Sequence, residues 1–197
     1  ILDKTGTLTN GRPQIVSVDV RNGFKEDEVR YFAAALDQAS KHPMAQAIVA
    51  DARDRGTILP PPQETSEAAG EGVIGLVDGR RIVVGGPAFV MNSIAADPVT
   101  DRPMRTPGAA VVAVAVDGVL AGHLVMADTL RPGMRTFLDG LRRTGVERIL
   151  LATGDRRDVA ETVADGLGLD AIRSELTPDQ KVLLVLTEHK NGPVMMA

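Results

Sequence analysis

Ile1-Leu2-Asp3-Lys4-Thr5-Gly6-Thr7-Leu8-Thr9 opens the chain. Two apolar residues ending in an aspartate read as the tail of a buried strand. The Thr- and Gly-rich run that follows reads as a tight turn offering hydroxyls and backbone N–H groups. In open α/β sheets ligands bind beyond the carboxyl ends of the strands, so Asp3 stands where a ligand would. A carboxylate is ionised at neutral pH and, in a dry cationic site, can attack phosphorus.

Working outward, Arg148-Ile149-Leu150-Leu151-Ala152 is a second short apolar strand, and it runs into Thr153-Gly154-Asp155. A threonine hydroxyl and N–H groups at such a strand end could hold a transferring phosphoryl group. Helices are expected around Met134–Leu141, with Met134, Phe137, Leu138 and Leu141 on one face. Others are expected at Val159–Leu167 and after Thr177, which caps a helix with Pro178 in its first turn and carries Lys181. This alternation is the rhythm of a parallel α/β sheet. Residues 15–126 have a different character. Helices are expected over 24–36 and from Pro43 to Gly56. Two Asp-Gly hairpins are expected, Val73–Val84 about Asp78-Gly79 and Val111–Met126 about Asp117-Gly118. Gly85-Gly86-Pro87 reads as a strand-to-helix turn, and residues 97–108, with three prolines, as a mobile loop. The fold class expected is therefore α/β: a Rossmann-like parallel-sheet domain, 1–14 with 127–197, holding an inserted α+β domain, 15–126, with an antiparallel sheet. Both ends read as cut inside core strands. His123 and His189 read as surface or hairpin residues, and Met195 and Met196 as core.

Composition narrows the function classes. The 197 residues carry 22 Lys+Arg and 26 Asp+Glu, a net charge of −4 with no basic block, which argues against nucleic acid as a partner. Cysteine is absent, which removes disulfides and thiolate metal sites. No apolar run approaches the ~20 residues of a membrane span.

Asp3-Lys4-Thr5-Gly6-Thr7-Leu8-Thr9 resembles the phosphorylation motif of P-type ATPases, membrane pumps of the haloacid-dehalogenase-like superfamily. Thr153-Gly154-Asp155 and Lys181 resemble that superfamily's next two motifs. Ser40-Lys41-His42-Pro43 and Gly70-Glu71-Gly72 are similar to the His-Pro element and Gly-x-Gly turn of the heavy-metal-transporting subclass. Lys41 stands where that element usually has Glu, and Asp37 where the histidine's partner is usually Glu. Met126–Pro132 resembles the segment where the chain re-enters the phosphorylation domain, a hinge with residues 10–15.

The resemblance implies ATP and Mg²⁺ as cofactors. It implies Asp3 as acceptor of the γ-phosphate, Thr153, Gly154 and Lys181 as its catalytic company, and Asp37, His42, Gly70, Gly72 and Asp155 on the nucleotide. Asp3 and the Thr5 carbonyl would make an incomplete Mg²⁺ site, the missing acidic motif being expected just after Ala197. It implies the transmembrane and actuator domains of a parent protein as partners, the transported ion binding outside this stretch. It also implies a soluble, cytoplasmic piece of a protein in the cell membrane. The superfamily's phosphatases usually carry a second aspartate, a general acid, at the position of Thr5; its absence favours a persistent acyl phosphate and hence a pump. A capped phosphatase, or a nucleotide-binding module without catalysis, are the alternatives.

Overall fold

The structure, a computed structural model, describes residues 1–94 and 107–197. Most of the proline-bearing loop expected over 97–108 therefore lies outside the described residues. The chain divides into two compact units, Ile1–Arg12 with Asp128–Ala197, and Pro13–Ala127. Strands β2 (Thr9–Val20) and β7 (Val119–Leu130) carry the chain between them.

The first unit is built on a parallel sheet in the order β1 (Leu2–Asp3), β8 (Leu150–Ala152), β9 (Ala171–Arg173). Leu2 faces Leu151 and Asp3 faces Ala152 across β1 and β8. The last residues run along the other side of β1: Ala197 N donates to Ile1 O (3.0 Å) and Asp3 N to Ala197 O (2.7 Å). Helices α4 (Met134–Arg143), α5 (Arg157–Ala164) and α6 (Pro178–Glu188) complete the unit. Leu2, Leu8, Leu138, Ile149, Leu151, Ala160 and Leu167 form its core. Leu138 is buried as its helix face requires, whereas Phe137 is exposed. Val182, Leu183 and Leu186 of α6 are exposed too.

The second unit is an antiparallel sheet in the order β2-β7-β6-β5-β4-β3, where β3 is Gln63–Ala68, β4 Gly72–Val77, β5 Arg80–Gly85 and β6 Ala110–Val116. Both expected hairpins form, and each turn takes positive φ at both central residues: Asp78 50° and Gly79 75°, Asp117 49° and Gly118 80°. That is the turn whose twist matches paired strands. Helices α1 (Glu26–Asp37) and α2 (Pro43–Asp54) pack on the sheet, with Val29, Phe32, Leu36 and Ile48 against Val73, Ile82, Val114 and Leu124. Helix α3 (Pro87–Ser93) starts at the Gly86-Pro87 turn, with Val90 and Met91 in a smaller cluster.

Strands β2, β3 and β9 were not read from the sequence. The first two are sheet edges, where one side needs no partner and a proline such as Pro13 is tolerated. Two residue assignments are corrected. His123 is fully buried in mid-β7, opposite Ala113, and is no surface residue. Met195 is 72 % exposed and Met196 partly exposed, so the terminal segment pairs through its backbone and leaves these side chains out of the core. Among the described residues no helix is long and apolar enough to cross a membrane.

The tightest backbone approach is at Gly85, where a Cβ would lie 2.3 Å from Glu71 O and 2.7 Å from Gly72 Cα. Neither neighbour is a flexible side chain, so Gly85→Ala is expected to destabilise the chain by about 1–3 kcal/mol. Gly140, inside α4 with open space at its Cβ position, should behave oppositely, Gly140→Ala stabilising by about 0.5–1 kcal/mol. Denaturant titration of both variants checks the contrast.

Candidate functional site

Asp3 ends β1, and its carboxylate is held from one side. Lys4 N and Lys181 Nζ both donate to Oδ1, each at 2.8 Å, and among the described residues no hydrogen bond reaches Oδ2. Lys181 is brought there by α6. Thr177 Oγ1 accepts from Gln180 N at 3.3 Å, Gln180 Oε1 accepts from Thr177 N at 2.8 Å, and Pro178 occupies the first turn. This capping box ties down the helix start and with it the lysine one turn in. The chain between Lys4 and Leu8 makes a wide turn with Gly6 at φ 81°. Thr5 lies exposed on it.

Thr153, next after the residue facing Asp3, is buried. Its hydroxyl donates to Asp155 Oδ2 (2.8 Å) and accepts from Asp155 N (3.1 Å). Asp155 Oδ2 also meets Lys4 Nζ at 2.7 Å. Burial disfavours the Asp155 carboxylate, but hydrogen bonds from Lys4 and Thr153 and the charges of Lys4 and Lys181 outweigh it and hold its pKa below the usual range. Gly154 is exposed, and a Cβ there would lie 3.3 Å from Leu176 O. The parallel register thus gathers Asp3, Thr153, Gly154, Asp155 and Lys181 at one sheet end.

For Mg²⁺, the Asp3 carboxylate and the Thr5 carbonyl are hard oxygen donors of the right kind. Mg²⁺ at phosphate sites takes one or two protein carboxylates and fills the remainder with water and phosphate oxygens. These residues fit such a partial shell. Among the described residues no cluster of three or more His, Asp or Glu stands ready for a metal.

The residues expected on a nucleotide in the second unit share one cleft of about 150 Å³. Asp37, His42, Gly70 and Gly72 line it with Ser40, Ile48, Glu67, Val84 and Val112 among others. His42 caps α2, its Nδ1 accepting from Met44 N at 3.2 Å, so the neutral ring carries its proton on Nε2. Gly70 takes φ 77° in the turn before β4. Gly72 lacks a side chain for the sake of the fold itself, since a Cβ there would meet Val84 O at 2.4 Å and Phe89 Cδ1 at 2.5 Å.

The chain matches the haloacid dehalogenase-like hydrolase family over residues 1–187. It belongs to that family.

Within these hydrolases its relatives are heavy-metal P-type ATPases. It is 33% identical over 199 residues to a copper-transporting P-type ATPase of Rhizobium leguminosarum bv. viciae, covering 99% of this chain and 23% of that protein. It is 33% identical over 201 residues to a manganese-exporting P-type ATPase of Mycobacterium bovis, 99% of this chain and 28% of the other. With the copper-exporting P-type ATPase B of Archaeoglobus fulgidus it shares 38% over 182 residues, 92% of this chain and 26% of that one. The chain therefore spans about a quarter of the length of these relatives. A crystal structure of a zinc-transporting PIB-type ATPase superposes with TM-score 0.78 at 30% identity, over 99% of this chain and 32% of that one. The catalytic domain of the CPx-ATPase CopB-B gives TM-score 0.60 at 26% identity, over 99% and 68%.

Several residues of this haloacid dehalogenase-like chain were not singled out from sequence. Lys4 is only 8 % exposed and holds Asp155; it stands inside the opening motif, but nothing local says where its ammonium goes. Asp128 accepts from Thr9 Oγ1 (2.5 Å) and Gly11 N (2.9 Å), while Arg131 donates to Gly6 O (2.6 Å) and Thr9 O (3.1 Å). Together they clamp the loop that follows Asp3. Glu67, on an edge strand polar but for its last residue Ala68, offers no sequence signal, yet it accepts from Ser40 Oγ at 2.5 Å inside the cleft.

Asp37 is 3 % exposed. Burial, and secondarily the charge of Glu67, push its pKa from 3.8 up to about 7. Between these values the folded chain binds a proton that the unfolded chain has released, so stability falls as pH rises from about 4 to about 7 and levels off above. Asp37→Asn should flatten this slope and melt higher than the parent chain at pH 8, with little difference at pH 4; thermal melts across that range check the sign.

Proposed function

We propose that this chain is the ATP-binding and aspartyl-phosphorylation region of a membrane pump that couples ATP hydrolysis to heavy-metal cation transport. In this reading the unit of residues 13–127 holds the nucleotide and the unit that carries Asp3 accepts the phosphoryl group. The observation that carries it is the Asp3 carboxylate, pinned through Oδ1 by Lys181 at 2.8 Å and open at Oδ2. The relatives' names, and the nucleotide binding named for the CopB-B catalytic domain, support the same reading.

The chemistry follows from the side chains. Oδ2 of Asp3 attacks the γ-phosphorus in line, forming an acyl–phosphate bond as the bond to the β-bridging oxygen breaks and ADP leaves. Lys181 fixes the carboxylate's orientation and sits beside the charge that develops on the equatorial oxygens. The Thr153 hydroxyl, on turning from Asp155, is placed to donate to one of them. Bound Mg²⁺ would supply charge neutralisation between the phosphate and Asp3. Thr5 offers no acid for rapid hydrolysis of the acyl phosphate, so the intermediate persists long enough to drive a conformational change.

Full-length parent protein is expected to form an acid-stable, hydroxylamine-sensitive phosphoenzyme from ATP. Asp3→Asn should abolish it, and Lys181→Ala should slow its formation by about 10²–10³-fold. Retained labelling in Asp3→Asn would reject the acceptor. Titration of the 197-residue chain with ATP should shift the amide resonances of residues around His42 and Gly72; shifts confined to the surroundings of Asp3 would count against the cleft as the nucleotide site.

A further inference from the structure

The edge strand β3 changes face half-way along. Gln63 lies opposite Leu76 and Ser66 opposite Ile74, so two residues, Glu64 and Thr65, stand against the single residue Gly75. That is a β-bulge, one extra residue in one strand of the pair. Gly75 makes room for it, since a Cβ there would lie 3.0 Å from both Gln63 O and Thr65 Cγ2. At the bulge Glu64 takes φ 49°, a left-handed conformation that residues with a side chain adopt only at a cost.

Side chains alternate along a strand, so one inserted residue turns every later side chain to the other face. Without it Glu67 would share the face of Ile74, which packs with Val90 and Met91 of α3. With it Glu67 lies opposite Val73, on the face where Val73 packs with α1 and α2. There its carboxylate reaches the connection between those helices.

Ser40 Oγ donates to Glu67 Oε1 at 2.5 Å and accepts from His42 N at 3.1 Å. Glu67 thereby settles the direction of the hydroxyl. Its hydrogen goes to the carboxylate, and a lone pair is left for the His42 amide. Ser40 is 3 % exposed, and its other polar groups are engaged too, N with Asp37 O (3.0 Å) and O with Gln46 Nε2 (2.6 Å). His42 is held at three points: N by Ser40, O by Gln46 N (3.0 Å) and Nδ1 by Met44 N (3.2 Å). Among the described residues no hydrogen bond reaches its Nε2, so that N–H is what the ring has to offer in the cleft it lines. We propose that Glu67 is a positioning residue for the nucleotide: through Ser40 it fixes the backbone of His42, and with it the place of the imidazole in the cleft. The bulge interrupts the pairing of β3 with β4 and serves the site instead.

The inference rests on the nucleotide reading above, and two readouts on the 197-residue chain separate them. Hydrogen exchange at the His42 amide, without nucleotide, reads the relay alone. Calorimetric titration with ATP reads its effect on binding. Glu67→Ala and Ser40→Ala should each speed exchange at His42 and each weaken ATP binding by about tenfold. The double variant should lose little beyond either single one, because both break the same relay. Glu67→Gln keeps an oxygen for the Ser40 hydroxyl and should bind ATP within about twofold of the parent chain. Glu67 is itself exposed, so Glu67→Ala should melt close to the parent, which tells a loss of affinity from a loss of fold. Parent affinity in Glu67→Ala, losses that add in the double variant, or a Glu67→Gln chain as weak as Glu67→Ala would each overturn the inference. Unchanged exchange at His42 in Glu67→Ala would overturn the relay. No ATP binding by the parent chain, with exchange at His42 still governed by Glu67, would reject the nucleotide reading and the role in binding with it, leaving the relay as a fold contact.

Discussion

The parallel pairing of β1 with β8 is the constraint on which the first unit depends. Leu2 against Leu151 and Asp3 against Ala152 place two strand ends level, so the aspartate and the Thr153-Gly154-Asp155 turn emerge at the same edge. A slip of one residue would turn Asp3 toward the opposite face and separate it from Lys181. Buried Leu2 and Leu151 hold that register from below, and the capped start of α6 supplies the lysine from above. The charges alternate around this edge, Lys181 on Asp3 and Lys4 on Asp155. The proposed acceptor thus keeps one oxygen pinned and one open.

The second unit solves a different problem. Its sheet must bring two helices and a Gly-rich turn close enough to leave a small cleft, and the glycines serve that approach more than any ligand contact. Gly72 and Gly85 permit β4, β5 and α3 to meet where any Cβ would collide with backbone or with Phe89. The cleft is mainly apolar, with carboxylates gathered near the end of α1. An apolar wall raises the cost of a charge there. The same burial that closes the hydrophobic core over Leu36 therefore governs the ionisation of its neighbour Asp37.

Legibility followed the range of the forces involved. Helix starts at Pro43, Pro87 and Pro178, and the two Asp-Gly turns, stand where the sequence places them, because caps and turns are settled by neighbours a few residues away. Edge strands β2 and β3 were missed: β3 is polar but for Ala68, and in β2 the alternation Val16-Ser17-Val18-Asp19-Val20 follows Asn10, Gly11 and Pro13, which read as breakers. Isolated histidine and paired methionines misled for a related reason. Whether a side chain is covered depends on which strand lies opposite, as for His123 beside Ala113, or on whether anything packs over it, as for Met195.

Sequence alone determined the α/β class, and through the family resemblance it named the candidate residues Asp3, Thr153, Lys181, Asp37 and His42, because short motifs in a fixed order can be read without any tertiary contact. Tertiary structure alone decided the partners: Lys4 on Asp155, Arg131 on the loop after Asp3, and Glu67 beside Asp37 through Ser40. These contacts join residues 27 to 151 positions apart in the two ion-pair and carboxylate cases and in the clamp alike. A contact of that range exists only once strand register and helix packing have brought distant backbone together, and no short stretch of chain encodes it.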